Sequence, residues 1–254
     1  MDLYFRKIGG GMMKAILLAA GVGNRISRMI ENVPKSTLPI DNNPLIRITA
    51  KRLLEAELDV VVVVGYQKEK VYEALEGLPI TYYFNPFYEI TNSIASLWFA
   101  RKELLLTEDV LIMNADVFLS DKILKDILAD KRDNVMAIDV TRTKTGDYFF
   151  STTESGVIQK YGKDLPLEER SCEYVGIAKI TEKFIKQFAK RLDSLIDNRE
   201  YQLWWENVLY SFTDHQEHPI YTLDVENEFW SEIDYFDDYE RILNYINESS
   251  SEKN

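Results

Sequence analysis

Residues 14–25 read Lys-Ala-Ile-Leu-Leu-Ala-Ala-Gly-Val-Gly-Asn-Arg, and Pro34-Lys35 follows shortly after them. The apolar run predicts a buried strand, and Gly21 begins a segment of small residues that predicts a loop. Small side chains let backbone N–H groups approach an anion closely, and Arg25 and Lys35 add two cations beside the loop. This stretch therefore predicts a phosphate-binding loop at the end of a strand.

The loop differs from two common phosphate-binding patterns. No Gly-Lys-Ser/Thr closes it, as a P-loop would require. Position 26 is Ile, where a dinucleotide fingerprint needs a third glycine that opens a helix. From these residues alone, a tight turn with solvated Arg and Lys side chains remains an open alternative.

The chain around this loop alternates strand and helix patterns up to about residue 140. Residues 60–64 are five consecutive valines, which is typical of a strand buried on both faces of a parallel sheet. Residues 110–113 form another apolar run, followed by Asn114-Ala115-Asp116. This rhythm predicts an α/β fold with a doubly wound, mostly parallel, Rossmann-like sheet.

The pattern changes after Thr141. Residues 148–153 and 157–161 read as a hairpin around Ser155-Gly156. Helical patterns follow at residues 182–195 and 199–212, and a last helix is predicted at residues 238–246. We expect an inserted β/α lobe here, within one domain that spans residues 13–248. Residues 1–12 read as a flexible leader and residues 249–254 as a disordered tail.

Composition limits the function classes. The formal net charge of -12 argues against sequence-independent nucleic-acid binding, which depends on Lys and Arg. No apolar run reaches the length of a membrane span, and the first residues lack the apolar middle of a signal peptide. Cys172 is the only cysteine, so an intrachain disulfide is excluded. We therefore expect a cytoplasmic protein without nucleic-acid or membrane partners.

The loop motif extends beyond its glycines. Leu-Ala-Ala-Gly-x-Gly-x-Arg with a downstream Pro-Lys resembles the signature loop of the nucleotidyltransferase superfamily, which includes the sugar-nucleotide pyrophosphorylases. The resemblance continues along nearly the whole chain, at Gly65-Tyr66, Asn92-Ser93, Asp116, Tyr174-Val175-Gly176 and Ile233-Asp234.

The resemblance implies an enzyme in which an acceptor phosphate or phosphonate oxygen attacks the α-phosphate of a nucleoside triphosphate, and pyrophosphate leaves. It assigns residues of about 13–140 to the nucleotide and about 141–248 to the acceptor. Arg25 would hold the leaving pyrophosphate, and Lys35 would lie near the α-phosphate and the acceptor phosphate. The expected nucleotide-binding residues are Leu18, Ala19, Ala20, Gly21, Gly23, Arg25, Gly65, Tyr66, Asn92 and Ser93.

Asp116 and Asp234 are the predicted ligands of Mg²⁺. Asp116 follows an apolar strand at the sheet edge where open α/β sheets bind ligands, and Ser120 is better placed than Asp116 to cap the next helix. Asp234 matches the late metal-binding aspartate of the family. Asp237 has capping-box spacing with Glu240, which leaves Asp234 without a structural role. A solvated turn remains the alternative for Asp234.

The acceptor is harder to predict. The Glu-Lys-Pro motif of hexose-1-phosphate enzymes is absent, and Tyr161-Gly162-Lys163 resembles the phosphocholine cytidylyltransferase-like branch. The resemblance implies CTP and a small phosphorylated alcohol such as phosphocholine, whose cation suits aromatic faces. The candidate acceptor-binding residues are Lys163, Glu173, Tyr174, Trp204, Trp205, Glu206 and Trp230.

Other interpretations of the second half stay open. The aromatic residues between 201 and 212 form a helical stripe, which is also typical of a helix that faces the core. A hexose-1-phosphate, inositol-phosphate or phosphonate nucleotidyltransferase is one alternative function. A regulatory module that binds a nucleotide without catalysis is another, and a homo-oligomer is possible.

Overall fold

The computed structural model describes residues 13–23, 33–105, 109–213 and 218–251, so the predicted leader lies outside the described residues. The strands are β1 Lys14–Ala19, β2 Pro39–Ile40, β3 Asn43–Pro44, β4 Asp59–Val64, β5 Ile80–Phe84, β6 Val110–Asn114, β7 Val117–Leu119, β8 Asn134–Asp139, β9 Phe149–Thr152, β10 Ile158–Gly162, β11 Cys172–Ile180, β12 Tyr221–Asp224 and β13 Trp230–Glu232. The helices are α1 Leu45–Glu55, α2 Lys68–Ala74, α3 Ser93–Phe99, α4 Arg101–Leu104, α5 Asp121–Ala129, α6 Glu182–Asp197, α7 Asn207–Tyr210 and α8 Phe236–Ser251.

One large sheet organises the fold. Its main path runs β10-β9-β11-β6-β1-β4-β5, and β8 pairs with β11 and β12. Strands β6, β1, β4 and β5 are parallel, whereas β11 is antiparallel to β6. The predicted doubly wound, mostly parallel α/β sheet is therefore confirmed.

The parallel centre is built by strands that are apolar on both faces. The valines of β4 are each at most 2% exposed. Val61 and Val63 pack into the cluster on one face of the sheet, and Val60, Val62 and Val64 pack into the cluster on the other. Because both faces are covered, the continuous valine run replaces the alternation that a half-exposed strand would show.

A small second sheet joins the middle of the chain to its end. Strand β7 pairs antiparallel with β13, and the N–H of Ile233 donates to the carbonyl of Asp116 at 3.0 Å. Gly176 makes room for this sheet, because a Cβ at Gly176 would lie 2.7 Å from a methyl group of Val117. This pairing places Asp116 and Asp234 at the same edge, although they are far apart in the sequence. The sequence did not predict β7.

The predicted helix over residues 199–212 is wrong, since only α7 forms there. Arg199 adopts a left-handed φ of 65° after α6. The carbonyls of Tyr201 and Leu203 then accept the N–H groups of Asn92 and Ile94, at 2.8 and 3.3 Å. These carbonyls bind another segment of the chain, so they do not form an intrahelical ladder.

The last helix begins earlier and ends later than predicted. Asp238 accepts the N–H groups of Asp234 and Tyr235 at 3.1 and 2.8 Å, so it stabilises the helix start in the role predicted for Asp237. Helix α8 continues to Ser251, so residues 249–251 are helical and were wrongly assigned to the disordered tail. No helix among the described residues is long and apolar enough to cross a membrane.

Candidate active site

A cleft of about 290 Å³ opens at the carboxyl ends of β1 and β6. This is the edge at which open α/β sheets bind ligands. Many residues predicted for the two substrates and the metal line it together, namely Leu18, Ala20, Gly21, Asn92, Ser93, Asp116, Lys163, Tyr174, Trp204, Glu206 and Asp234. A smaller recess of about 50 Å³ shares Leu18, Gly21 and Asp116 with the cleft and also contacts Ala19, Gly23 and Lys35.

The glycine loop is supported from behind by the turn after β4. The N–H of Tyr66 donates to the carbonyl of Ala20 at 3.1 Å, and a Cβ at Gly65 would lie 2.6 Å from that oxygen. The ring of Tyr66 packs edge-on against Tyr88. Gly65 and Tyr66 therefore hold the loop in place, and neither of them lines the cleft. Their contact with the nucleotide stays a prediction.

Lys35 enters the site beside Gly23. Gly23 has a φ of 66°, and a Cβ there would lie 3.0–3.3 Å from the side-chain carbons of Lys35. A larger residue at position 23 would be strained and would crowd the lysine. Arg25, the other predicted loop cation, lies outside the described residues.

Two carboxylates converge on the Lys35 ammonium group. Its Nζ lies 2.5 Å from Asp234 Oδ1 and 3.7 Å from Asp116 Oδ2. Burial opposes the charge of the ammonium, but both carboxylates outweigh burial, so the pKa of Lys35 is raised. Burial also raises the pKa of Asp116, with Lys35 opposing it and Asp234 adding to it. Both predicted metal ligands can therefore contact one cation.

Two glutamates add to the acidic character of the cleft. Burial raises the pKa of Glu206 to about 8, although the amide of Asn114 donates to its Oε1 at 3.4 Å. Burial and the charges of Asp116 and Asp234 raise the pKa of Glu232 well above its usual value. Carboxyl groups held close together in a desolvated site ionise less readily, and a bound cation favours their ionised forms.

Asn92 and Ser93 shape the wall of the cleft. The side chain of Asn92 caps α3 by accepting the N–H of Ser93 at 2.8 Å. The hydroxyl oxygen of Ser93 accepts the N–H of Trp205 at 2.9 Å. Both residues line the cleft, and both also join the nucleotide half to the segment before α7.

Aromatic rings form another part of the cleft wall. The rings of Tyr148 and Tyr210 stack with centroids 5.4 Å apart, and Trp204 meets Tyr148 edge-on at 5.7 Å. The Lys163 ammonium lies 4.9 Å from the ring centre of Trp204 and 3.8 Å from a carboxylate oxygen of Asp147. This wall therefore already holds one cation between an aromatic face and a carboxylate.

Three predicted acceptor-binding residues lie away from the cleft. Trp205 is fully buried, and its indole N–H donates to the side-chain oxygen of Asn114 at 3.0 Å. Trp230 is 3% exposed and donates to Asp139 at 2.8 Å. Glu173 and Trp230 line a neighbouring pocket of about 280 Å³. The full burial of Trp205 contradicts its predicted contact with the acceptor, whereas direct contact of Glu173 and Trp230 with the acceptor stays a prediction.

A sequence model of the MobA-like NTP transferase domain matches residues 15–165. This chain belongs to that family. The choline-phosphate cytidylyltransferase of Streptococcus pneumoniae is 25% identical over 238 residues, which cover 91% of this chain and 96% of that protein. The CTP:phosphoglutamine cytidylyltransferase of Campylobacter jejuni is 23% identical over 250 residues, 90% of this chain and 98% of that protein.

The fold of this nucleotidyltransferase agrees with a solved relative. The structure of CTP:phosphocholine cytidylyltransferase from Streptococcus pneumoniae matches with a TM-score of 0.75 and 23% identity, over 92% of this chain and 99% of that one. The chain is thus an enzyme of the nucleotidyltransferase class, in the phosphocholine cytidylyltransferase-like branch.

Several residues that line the cleft of this nucleotidyltransferase were missed from the sequence. Asn114 and Glu232 each precede a predicted metal ligand by two positions, so the period of two along a strand could have found them. Tyr148 and Tyr210 carried no such signal, because they meet only through tertiary packing. The full missed set is Tyr88, Thr91, Asn114, Asp147, Tyr148, Tyr210 and Glu232.

Proposed function

We propose that this enzyme transfers a cytidylyl group from CTP to a small phosphorylated alcohol or phosphonate and releases pyrophosphate. The observation that carries this proposal is the convergence of Lys35, Asp116 and Asp234 beside the glycine loop, in a cleft that continues to an aromatic wall. The relatives from Streptococcus and Campylobacter are both named as cytidylyltransferases. Their names support the use of CTP and of a phosphorylated acceptor by this enzyme.

The residues present fit Mg²⁺. Asp116 and Asp234 come from different strand ends, and both lie within 4 Å of one ammonium group. Mg²⁺ prefers one or two carboxylates together with phosphate oxygens and water. Among the described residues no cluster of three or more metal-ligating side chains occurs. When bound, the metal would supply charge neutralisation for the phosphates.

The proposed reaction is an in-line displacement at the α-phosphorus of CTP. An oxygen of the acceptor phosphate forms a bond to phosphorus, and the bond to pyrophosphate breaks. The Lys35 ammonium lies deep in the site and would donate hydrogen bonds to the phosphoryl oxygens as their charge is redistributed. The glycine loop would present backbone N–H groups to the nucleotide, and Arg25 is proposed to hold the leaving pyrophosphate.

The acceptor end favours a phosphorylated alcohol with a cationic head group, and phosphocholine is our first choice. Trp204 and Tyr148 offer aromatic surfaces, and Glu206 supplies a carboxyl group beside them. A cation over an aromatic face is stabilised most when it is desolvated. Lys163 would turn from Trp204 toward the acceptor phosphate, which leaves the ring to the head group.

A pyrophosphate-release screen tests the proposal. Each of four nucleoside triphosphates is combined with phosphocholine, phosphoethanolamine, 2-aminoethylphosphonate, inositol phosphate and glucose-1-phosphate, in the presence of Mg²⁺. We expect turnover with CTP and the highest kcat/KM with phosphocholine. A clear preference for glucose-1-phosphate would overturn the acceptor class, and a preference for inositol phosphate would overturn only the cationic head group.

A further inference from the structure

A buried carboxyl group lies beneath the loop of residues 140–148, which joins β8 to β9. Glu173 sits on β11, paired with Asp139 of β8 on one side and Phe149 of β9 on the other. It is only 5% exposed and does not line the cleft. A carboxyl group in such a position costs free energy unless its oxygens are bound, so its contacts indicate what it does.

The first contact fixes the end of the loop nearest the cleft. Glu173 Oε1 accepts the backbone N–H of Asp147 at 2.9 Å. The peptide before it lies against the carboxyl group so closely that a Cβ at Gly146 would be 2.3 Å from the carboxyl carbon. Only glycine leaves space for this approach, because real Cβ atoms do not come so near to another heavy atom.

The second contact fixes the start of the same loop. Arg142 Nη1 lies 3.7 Å from Glu173 Oε2, and Arg142 Nε lies 3.5 Å from Asp139 Oδ2. The Arg142 guanidinium also lies over the ring of Trp230, 4.3 Å from its centre. The carboxyl group thus accepts a hydrogen bond from one end of the loop through Oε1 and faces the arginine at the other end through Oε2, which has no hydrogen-bond partner among the described residues.

The loop delivers two side chains to the acceptor end of the cleft. Asp147 pairs with Lys163, and Tyr148 stacks on Tyr210 and meets Trp204. We propose that Glu173 is a positioning residue that sets acceptor affinity by holding the Gly146–Asp147 peptide, and with it Asp147 and Tyr148, against the cleft. This inference rests on the proposed function for its substrate. It assigns to Glu173 an indirect role in place of direct contact.

Three variants test this role from both sides of the contact. Glu173→Ala removes the hydrogen-bond acceptor, and Gly146→Ala displaces the peptide while leaving the buried strand intact. Each should raise the KM for phosphocholine about tenfold, the loss expected for one hydrogen bond, and leave the KM for CTP unchanged. Glu173→Gln retains an oxygen that can accept the Asp147 N–H, and it should keep the acceptor KM close to that of the wild type.

Hydrogen exchange measures the same contact without any turnover. Amides of residues 140–148 should exchange about tenfold faster in Glu173→Ala and Gly146→Ala, because the loop opens more readily. Glu173→Gln and the control Glu168→Ala, at an exposed position, should exchange like the wild type. If Glu173→Ala does not fold, Gly146→Ala carries the test alone.

The outcomes separate this inference from the proposed function. A wild-type acceptor KM and wild-type loop exchange in Gly146→Ala would overturn the positioning role. Equal increases in both KM values, with a lower melting temperature, would also overturn it, because they indicate general destabilisation. If the wild-type enzyme uses no phosphorylated acceptor with CTP, the proposed function fails, and hydrogen exchange still decides whether Glu173 holds the loop.

Discussion

The two ends of the cleft are built in different ways. At the nucleotide end, Asp116 follows β6, Lys35 begins a short 3-10 helix, and β13 brings Asp234 to them through backbone pairing with β7. At the acceptor end, Tyr148, Trp204 and Tyr210 come from loops and a short helix and meet through their rings. Backbone pairing fixes the position of the charged groups, whereas side-chain packing decides the shape around the acceptor.

This difference implies that chemistry and specificity can be altered separately. Changes at the charged end should lower the rate with every acceptor, because all acceptors share the transferred group. Changes at the aromatic end should alter the choice among acceptors. The predictions below test that separation.

The largest effect is expected at the carboxylates. Asp116→Asn and Asp234→Asn should each lower kcat/KM by at least about 10³-fold for every acceptor. Each substitution removes a negative charge assigned to the metal, and metal stabilisation of the transition state is worth several kcal/mol. Pyrophosphate release with Mg²⁺ measures the rate, and far-UV circular dichroism checks the fold. Asp237→Asn is the control, since Asp237 is exposed on the first turn of α8. Near-normal activity in either variant would remove that residue from the metal site.

Lys35→Met should show the next largest loss. Removal of a cation that stabilises the transferring phosphoryl group costs about 2.7–4 kcal/mol, or roughly 10²–10³ in rate. The substitution also leaves Asp116 and Asp234 facing each other without a cation between them. Mg²⁺ should therefore raise the melting temperature of this variant more than that of the wild type.

Thermal melts with and without Mg²⁺ test the Lys35 prediction alongside the rate. Lys51→Met, at an exposed position of α1, serves as the control for loss of a lysine. An equal gain from Mg²⁺ in the wild type and in Lys35→Met would show that Lys35 and the metal do not share the two carboxylates.

Substitution of two adjacent tryptophans should affect different properties, acceptor binding for one and stability for the other. Trp204 is 38% exposed in the cleft, so Trp204→Ala should raise the KM for phosphocholine by up to about thirtyfold, equivalent to about 2 kcal/mol of cation–aromatic attraction. Trp205 is fully buried, so Trp205→Ala should lower the free energy of unfolding by about 3–5 kcal/mol. Steady-state kinetics and urea unfolding on both variants make the comparison. A Trp204→Ala enzyme with unchanged acceptor KM would refute the aromatic head-group site.

The last prediction is a pH dependence of stability. The raised pKa of Glu206 means that the folded protein binds this proton more tightly than the unfolded chain does. Its contribution to the free energy of unfolding therefore falls as pH rises from about 4.5 to about 8. Glu206→Gln cannot ionise, so the variant should gain stability relative to the wild type as pH rises over this range. Urea unfolding at several pH values measures the difference, and a constant difference would contradict the raised pKa.

The contrast between the two ends also explains what the sequence could predict. Residues 60–64 predicted the parallel sheet correctly, because a strand that is buried on both faces reads as a continuous run of valines. Asp116 and Asp234 were predicted as site residues from their positions after apolar runs and from the family motifs. The structure brings the two carboxylates together. The aromatic wall was predicted only in part, because Trp204 and Trp205 are adjacent in the sequence and only tertiary packing decides which of them faces the cleft.

The prediction of a helix at residues 199–206 was wrong for a related reason. Their apolar spacing fits a helix, but the carbonyl oxygens of Tyr201 and Leu203 accept hydrogen bonds from the N–H groups of Asn92 and Ile94. A long-range partner of this kind leaves no trace in local periodicity. The same long-range contact brings Trp204 to the cleft, so the error in the helix and the partial prediction of the aromatic wall have one cause.

Strand β11 has a consequence for engineering. It lies between β6 and β8 and pairs with both, so the acceptor half completes the same sheet as the nucleotide half. Cutting the chain near residue 140 would leave one edge of β6 and both edges of β8 unpaired, and unpaired strand edges promote aggregation. Residues 140–148 join β8 to β9 and residues 199–206 join α6 to α7, and both segments supply side chains to the acceptor wall. These two segments are therefore the units to transplant between related enzymes when a new acceptor is wanted.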